Sequence, residues 1–459
     1  MLWAPVKHRA RRFAAQSALE STSMSYLSRC LSGLVCALSL ATPVALAAGQ
    51  SAVADADVAG AARRHTAQAL EWRHQIHAHP ELGNREHETA KLVADHLKTL
   101  GMEVSTGIAQ TGVLGVLRGG KPGPVVAVRA DMDALPVTED TNLPFKSEVR
   151  ATYNGLEVGV MHACGHDIHT AVQLGVASIL ADLRDEIPGT VLFIFQPAEE
   201  GPPPGEEGGA ELMLREGAFA DPRPKAVFGL HTLANLDVGK IGFTVGPALA
   251  AVDHFKAVVM GRQTHGAQPH EGIDPVVIAA QVITAFQTIA SRSVNPIEPV
   301  VVTVGMVRGG ERYNIIPAAV KLEGTVRTYD AGVRNDVQRR MDEILDGLTR
   351  AGGGSYSFEY ERGTPATIND AELASQMLPT VEALPVELVK LPPTMGGEDF
   401  AYFANEVPGF FYRLGTLKPG TQSGPHHSPT FRADDDSIAI GMRVMANLLL
   451  DYLHAAAQK

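Results

Sequence analysis

Residues 161–170 read Met-His-Ala-Cys-Gly-His-Asp-Ile-His-Thr, so three histidines, one cysteine and one carboxylate fall within eight residues. Cys164 and His166 are good ligands for a borderline-soft divalent ion such as zinc. Gly165 between them lets the backbone turn tightly enough for both to face one ion. Apolar helical spacing resumes at Ile168 and continues through Val172, Leu174, Val176, Ile179 and Leu180, which puts the cluster at a helix start. The partial positive charge there favours a thiolate at Cys164. One cysteine or histidine alone reads as a structural residue; this density of coordinating groups reads as a metal site. A single run seldom fills a site, so other parts of the chain must supply ligands.

Strand ends are the natural suppliers, because open α/β sheets bind ligands at the carboxyl ends of their strands. The apolar run 124–130 predicts a strand buried on both faces, and it ends in Asp131-Met132-Asp133. Asp133 is placed to orient a ligand histidine or steady the metal from behind. A second buried strand, 190–196, runs into Pro197-Ala198-Glu199-Glu200. Adjacent carboxylates on an extended segment point opposite ways, so one can bind metal while its neighbour faces water or substrate. That division suits metal-assisted hydrolysis, in which the ion acidifies water and a carboxylate takes the proton. A third strand, 225–231, is expected to place His231 at its carboxyl end. His427 is the remaining ligand candidate, although two adjacent histidines on a loop are ambiguous in isolation. Glu206-Glu207 follows a proline run and reads as helix-start charge before a helix at 210–216.

The rest of the chain supports these strands. Residues 49–60 look like a flexible lead-in, followed by helices over 63–77 and 85–100 and β-type runs at 102–106 and 112–118. From 248 to 363 the texture changes to strand 252–260, helix 274–291, strands 299–307 and 319–328, helix 331–350 and strand 355–361. This β-α-β-β-α-β order is ferredoxin-like and predicts a compact module inserted into the α/β domain. The α/β pattern returns with helix 370–383, strand 409–415 and helix 434–455. The expected organisation is therefore a catalytic domain in two parts, 62–247 and 364–456, around an inserted module at 248–363.

With 459 residues, 45% hydrophobic and 20% charged, the composition is that of a soluble globular protein of two or three domains. The formal charge of −12 argues against a general nucleic-acid role. Residues 31–47 are small and apolar, follow Arg29 and end in Ala45-Leu46-Ala47, as an export leader with a cleavage site would. The run is short for a membrane anchor and contains Pro43. Met24 suits the start of such a leader. Loss of residues 1–47 would remove a net +4, taking the charge from −12 to −16, and would leave Cys164 as the sole cysteine. A lone thiol in an oxidising compartment needs a reason to exist, and metal ligation is one. The expected location is periplasmic or secreted, with no stable membrane anchor after cleavage.

Taken together, Arg-Ala-Asp-Met-Asp-Ala-Leu-Pro (129–136), the 161–170 run, Gln-Pro-Ala-Glu-Glu-Gly (196–201) and Gly-Leu-His (229–231) make a family resemblance. His-Gly-Ala-Gln-Pro-His (265–270), Asn-Ile-Ile-Pro (314–317), Gly-Gly-Glu-Asp-Phe (396–400) and His-Ser-Pro (427–429) extend it across residues 62–456. The chain resembles the M20 metallopeptidase family, in its amidohydrolase branch of hippurate and indole-acetyl-amino-acid hydrolases. The resemblance implies a zinc-peptidase-like catalytic domain with a central mixed sheet flanked by helices, and makes the inserted α+β module a lid and dimerisation domain. It implies two divalent metal ions, zinc first with manganese, cobalt or nickel as alternatives, held by Cys164, His166, Glu200, His231 and His427, with Cys164 bridging. It makes Glu199 the general base and His265 a group that polarises the scissile carbonyl, in many relatives from the neighbouring subunit of a homodimer. Asn314 and Arg327 match positions that hold a substrate carboxylate. The implied substrate is an N-acyl amino acid. A dipeptidase or carboxypeptidase of the same family is the first rival, and an exported binding protein the second. Pro202 to Glu207 lengthen the loop after the two glutamates relative to the family pattern, beside the base.

Overall fold

In the computed structural model, which describes residues 53–458, an eight-stranded mixed sheet organises the larger part of the chain. The expected leader, residues 1–47, lies outside the described residues. The central strands Pro188–Gln196, Lys121–Asp131, Val227–Asp237 and Gly409–Leu417 are neighbours in that order and run parallel. They are the continuous apolar runs of the sequence, and alternate residues serve opposite faces. Val126, Val128, Val191 and Phe193 pack into one core with the helices Asp55–Ala78, His166–Asp182 and Asp436–Ala457. Ala127, Leu192 and Ile194 pack into a second core with Gly209–Arg215 and Phe400–Glu406. A parallel sheet needs this cover on both faces.

Parallel pairing brings the carboxyl ends of the central strands to one edge. Asp131 lies opposite Gln196, and His231 opposite Arg413. His231 is not at the end of its strand, as the sequence suggested. The strand continues to Asp237 because Gly409–Leu417 keeps pairing with it, whereas Lys121–Asp131 stops pairing at the Arg129–Gly229 position. His231 therefore lies just past the point where one neighbour departs, on backbone still held from the other side.

The second sheet has the strand order Val300–Arg308, Ala319–Thr328, Ala251–Met260, Ser355–Arg362, all antiparallel. Helices Pro275–Thr288 and Ala331–Ala351 pack on it through Ile278, Val282, Phe286, Val337, Met341 and Leu345, against Phe255, Leu322 and Val326. Element order and strand order are both ferredoxin-like. A ribbon of Gly246–Leu249 and Thr367–Asn369 lies where the chain enters and leaves this module.

Several short elements escaped the sequence reading. Lys240–Phe243, Glu387–Lys390 and the hairpin Arg150–Tyr153 with Leu156–Gly159 have four residues each, too few to display a period. The first helix begins at Asp55, inside the expected lead-in, because Asp55 accepts from Arg443 Nε at 2.8 Å and Asn447 Nδ2 at 3.1 Å on the last helix.

Buried charge ties the first helix to the metal-site helix. Asp167 Oδ2 lies 3.1 Å from Arg73 Nε and 2.9 Å from His77 Nδ1, and His77 Nε2 lies 3.2 Å from Glu139. Burial alone would lower the His77 pKa, but Asp167 and Glu139 outweigh it and raise it from 6.5 to about 9. A raised folded-state pKa gives stability that is complete below the unfolded value and lost as pH rises through the folded one. For this nearly inaccessible ring the contribution is about 3 kcal/mol at the acid end of that window. Urea unfolding should show the wild type losing stability between about pH 6.5 and pH 9, with the loss absent from His77→Gln. Parallel profiles for the two proteins would show that His77 is not protonated in the fold.

Candidate metal centre

Cys164 and His166 flank a left-handed Gly165, φ +91°, which caps the helix His166–Asp182. The turn is close-packed: a Cβ at Gly165 would stand 2.4 Å from Thr232 Oγ1, the hydroxyl that donates to the Cys164 carbonyl at 2.8 Å. The helix start is thereby fastened to the strand bearing His231. Cys164 Sγ lies 3.4 Å from His231 Nε2. Donor atoms of Cys164, His166 and His231 all come within 4.8 Å of one another, and so do those of Cys164, Glu200 and His427, and of His166, Glu199 and Glu200. The five residues expected as ligands thus converge, with Cys164 common to two of the groups. His427 reaches Glu200 at 2.9 Å, and its backbone, at φ +65°, donates to the Ala163 carbonyl at 2.8 Å.

The histidines are oriented as metal ligands are. His166 Nδ1 faces the carbonyl of Asp133 at 2.8 Å and its carboxylate at 3.2 Å. His231 Nδ1 donates to the Thr232 carbonyl at 2.7 Å. Both Nε2 atoms are left for the centre, and that of His166 is buried with no hydrogen-bond partner. An orphaned imidazole nitrogen beside a thiol and carboxylates fits a cation. The second carboxylate oxygen of Asp133 accepts from the Glu200 amide at 3.0 Å.

Around this set lies a layer of buried charged and polar side chains whose pairing the sequence does not show. Arg129 is fully buried and donates to Gln196 Oε1 at 2.8 Å and to Asp131 Oδ2 at 2.8 Å. Its remaining nitrogen meets Asp399 at 2.9 Å and Glu398 at 3.0 Å. His169, in the same run as the ligands, meets Asp131 at 2.5 Å and accepts from the Thr232 amide at 2.8 Å. His426, the neighbour of His427, lies 3.6 Å from Cys164 Sγ, and its other nitrogen accepts from the Ala234 amide at 3.2 Å. The Asp-Met-Asp and Gly-Gly-Glu-Asp-Phe motifs were the available signals.

Glu199 is 9% exposed and shares its surroundings with Glu398 and Asp399. Burial, then the charges of Glu398, Glu200 and Asp399, push its pKa well above the usual carboxylate range. Such a group can hold a proton near neutrality.

Three expected site residues stand elsewhere in this chain. His265 is exposed on the two-residue strand Thr264–His265, where its Nδ1 accepts from the Ala267 amide at 3.0 Å. Asn314 is beside it, its carbonyl accepting from Gly266 at 2.8 Å. Arg327 is half-buried on the module's sheet, opposite Val252 and Val301. Among the described residues, no hydrogen bond or ion pair joins these three to the cluster. Two local expectations also change. Burial pushes the Cys164 thiol up, against the lowering contacts of His166 and His427. Glu206 is not helix-start charge: it takes a two-pronged ion pair from Arg85, at 2.6 and 3.0 Å, and tethers the proline loop to the preceding turn.

Metal uptake should release protons, because the Cys164 thiol is raised by burial and His427 is raised to about 10 by its contacts with Cys164 and Glu200. Zinc affinity should therefore increase with pH, and calorimetry in buffers of different ionisation enthalpy should count released protons. Uptake without proton release near neutrality would contradict those shifts. Cys164→Ala should lose metal by elemental analysis, and full occupancy would remove the thiol from the ligand set.

Residues 127–451 match the model of Peptidase family M20/M25/M40. The chain is 37% identical over 373 residues to an N-acetyl-L-cysteine deacetylase of Bacillus subtilis (strain 168), covering 81% of this chain and 85% of that one. It is 38% identical over 387 residues to thermostable carboxypeptidase 1 of Saccharolobus solfataricus, covering 83% and 95%. Among solved structures it resembles the Bacillus subtilis YXEP protein, described as a dinuclear metal binding peptidase from the M20 family. The TM-score is 0.73 at 34% identity, over 85% of this chain and 99% of that one. With matches of this extent running through every segment of the metal centre, the chain belongs to peptidase family M20/M25/M40, a family of hydrolytic enzymes.

Proposed function

We propose that this enzyme is a metal-dependent amidohydrolase that cleaves the amide bond of N-acyl amino acids. The observation that carries the reading is Glu199, a nearly buried carboxylate with a raised pKa, within 4.8 Å of candidate ligand atoms on His166 and Glu200. A site built only to capture a ligand needs no such base. Two divalent ions, zinc first, would be held by Cys164, His166, Glu200, His231 and His427, and would acidify water and polarise the scissile carbonyl. Glu199 takes the proton of the attacking water and delivers it to the leaving amine nitrogen. Asp133 and Asp131 orient the imidazoles from behind. The deacetylase relative supports the N-acyl class.

His265, exposed and bonded locally in this chain, fits a homodimer in which the inserted module of one subunit completes the site of the other. Its edge strand Val300–Arg308 presents Val301, Met306 and Val307, 36%, 39% and 56% exposed, and the helix Pro275–Thr288 presents Val276 and Val277. An unpaired apolar edge next to an apolar helix face suits self-association. In that arrangement His265 donates to the developing oxyanion, while Asn314 and Arg327 receive the substrate carboxylate. Residues 1–47 act as the export leader, so the mature enzyme works outside the cytoplasm.

A second reading, carboxypeptidase, has support from the thermostable carboxypeptidase relative, which is equally similar. Zinc-, manganese- or cobalt-loaded enzyme assayed on acetyl, benzoyl and indole-acetyl amino acids and on dipeptides separates the two; N-acyl substrates should give the higher kcat/KM. Inactivity across the whole panel would return the protein to a binding role. Glu199→Gln should keep its metal and lose about 10³-fold in kcat, and near-normal turnover would remove Glu199 as the base.

A further inference from the structure

Glu86 is fully buried, precedes the helix His87–Thr99, and has no part in the chemistry described so far. One of its carboxylate oxygens accepts from the Thr111 hydroxyl at 2.6 Å; the other accepts from the Ala198 amide at 2.9 Å. Ala198 immediately precedes the base and has φ +50°, a left-handed conformation that residues with a Cβ rarely adopt. Pro197 has no amide hydrogen, so Ala198 N–H is the one backbone donor between Gln196, where the strand ends, and Glu199. Two residues on, the Glu200 amide is held by Asp133 at 3.0 Å. Buried carboxylates from two other segments thus grip alternate amides of the strap that carries both glutamates.

The turn holding Glu86 is itself fixed to the site. The Glu81 carbonyl accepts from Ala134 at 2.8 Å, just beyond Asp133. Gly83 packs so closely that a Cβ there would stand 3.2 Å from Ala198. The turn packs against Ala198, and Glu86 supplies the bond that keeps its amide turned inward.

We propose that Glu86 is a positioning residue: by holding Ala198 in its left-handed turn, it sets the direction in which Glu199 leaves the strand. Backbone in that region persists only where its surroundings over-determine it, and such turns cluster at active sites. Without the Glu86 bond, Ala198 relaxes to negative φ and the base swings away from the water it must deprotonate. Burial, then the charge of Asp133, raises the Glu86 pKa to about 8, so a neutral glutamine imitates the group well. Glutamine also keeps both bonds, its carbonyl accepting from Ala198 and its amide donating to Thr111.

The proposal rests on Glu199 being the base, and the experiment keeps the two apart. Full-length wild type, Glu86→Leu, Glu86→Gln, Thr111→Val and Glu199→Gln are compared for kcat and KM on N-acetyl amino acids at saturating zinc, and for zinc affinity and melting temperature. Glu86→Leu should lose about 10²-fold in kcat with little change in KM, and about tenfold in zinc affinity through Glu200. Glu86→Gln should keep both near wild type. Thr111→Val, the milder variant should Glu86→Leu not fold, should lose about fivefold in kcat, the effect of one hydrogen bond. A merely structural role would lower the melting temperature and leave kcat and zinc affinity per folded molecule unchanged. That result, or a Glu86→Gln variant as impaired as Glu86→Leu, overturns the proposal. Active wild type with an equally active Glu199→Gln would overturn the base instead. If wild type proves inert on these substrates, the zinc titrations still decide for or against Glu86.

Discussion

The buried guanidinium of Arg129 carries much of the load at the sheet edge. Asp131, Asp133, Glu199, Glu200, Glu398 and Asp399 crowd into one low-dielectric region, where like charges repel strongly. Arg129 lies beneath them with no exposed surface and pairs with Asp131, Glu398 and Asp399. Removing one partner of such a buried cluster costs about 3–5 kcal/mol, because the others are left uncompensated. Arg129 offsets the charge on the inner side. Burial, then the charges of Glu398, Glu200 and Asp399, still raises the pKa of Glu199, and a cation is the natural complement to this set.

The sheet is what makes this density of charge possible. Parallel strands deliver Asp131, Gln196 and the His231 region to one edge, and the helices fastened against them supply Cys164 and His166. The supporting contacts run mostly to backbone: Asp133 to the Glu200 amide, Thr232 to the Cys164 carbonyl, His427 to the Ala163 carbonyl. Backbone partners hold position better than long side chains, as a site that must keep several donors within reach of the same ions requires. Among the described residues, the four strands of the inserted module form a sheet separate from the eight-stranded one.

Much of this was readable from residue types and spacing. The Cys-Gly-His turn, the paired glutamates after a buried strand and the ferredoxin-like order all rest on local periodicity, and local periodicity survives in a linear chain. The misses have a common cause. His231 read as a strand end because its apolar run stops there, whereas its strand continues through pairing with Gly409–Leu417, far along the chain. Glu206 read as helix charge because nothing nearby in sequence reveals Arg85 as its partner. A helix start reads as favouring a thiolate at Cys164, whereas burial pushes the thiol up.

The amino-acid sequence by itself determined which groups are available for chemistry and most of the elements that carry them, because these depend on side-chain type and short-range spacing. Only the tertiary structure decided which of those groups meet. His426 joins His427 beside the thiol, Arg129 pairs with Glu398 and Asp399 from a segment far along the chain, and Glu86 reaches across to the amide that precedes the base. Burial and long-range pairing set these relations, and neither is written in any stretch of neighbouring residues.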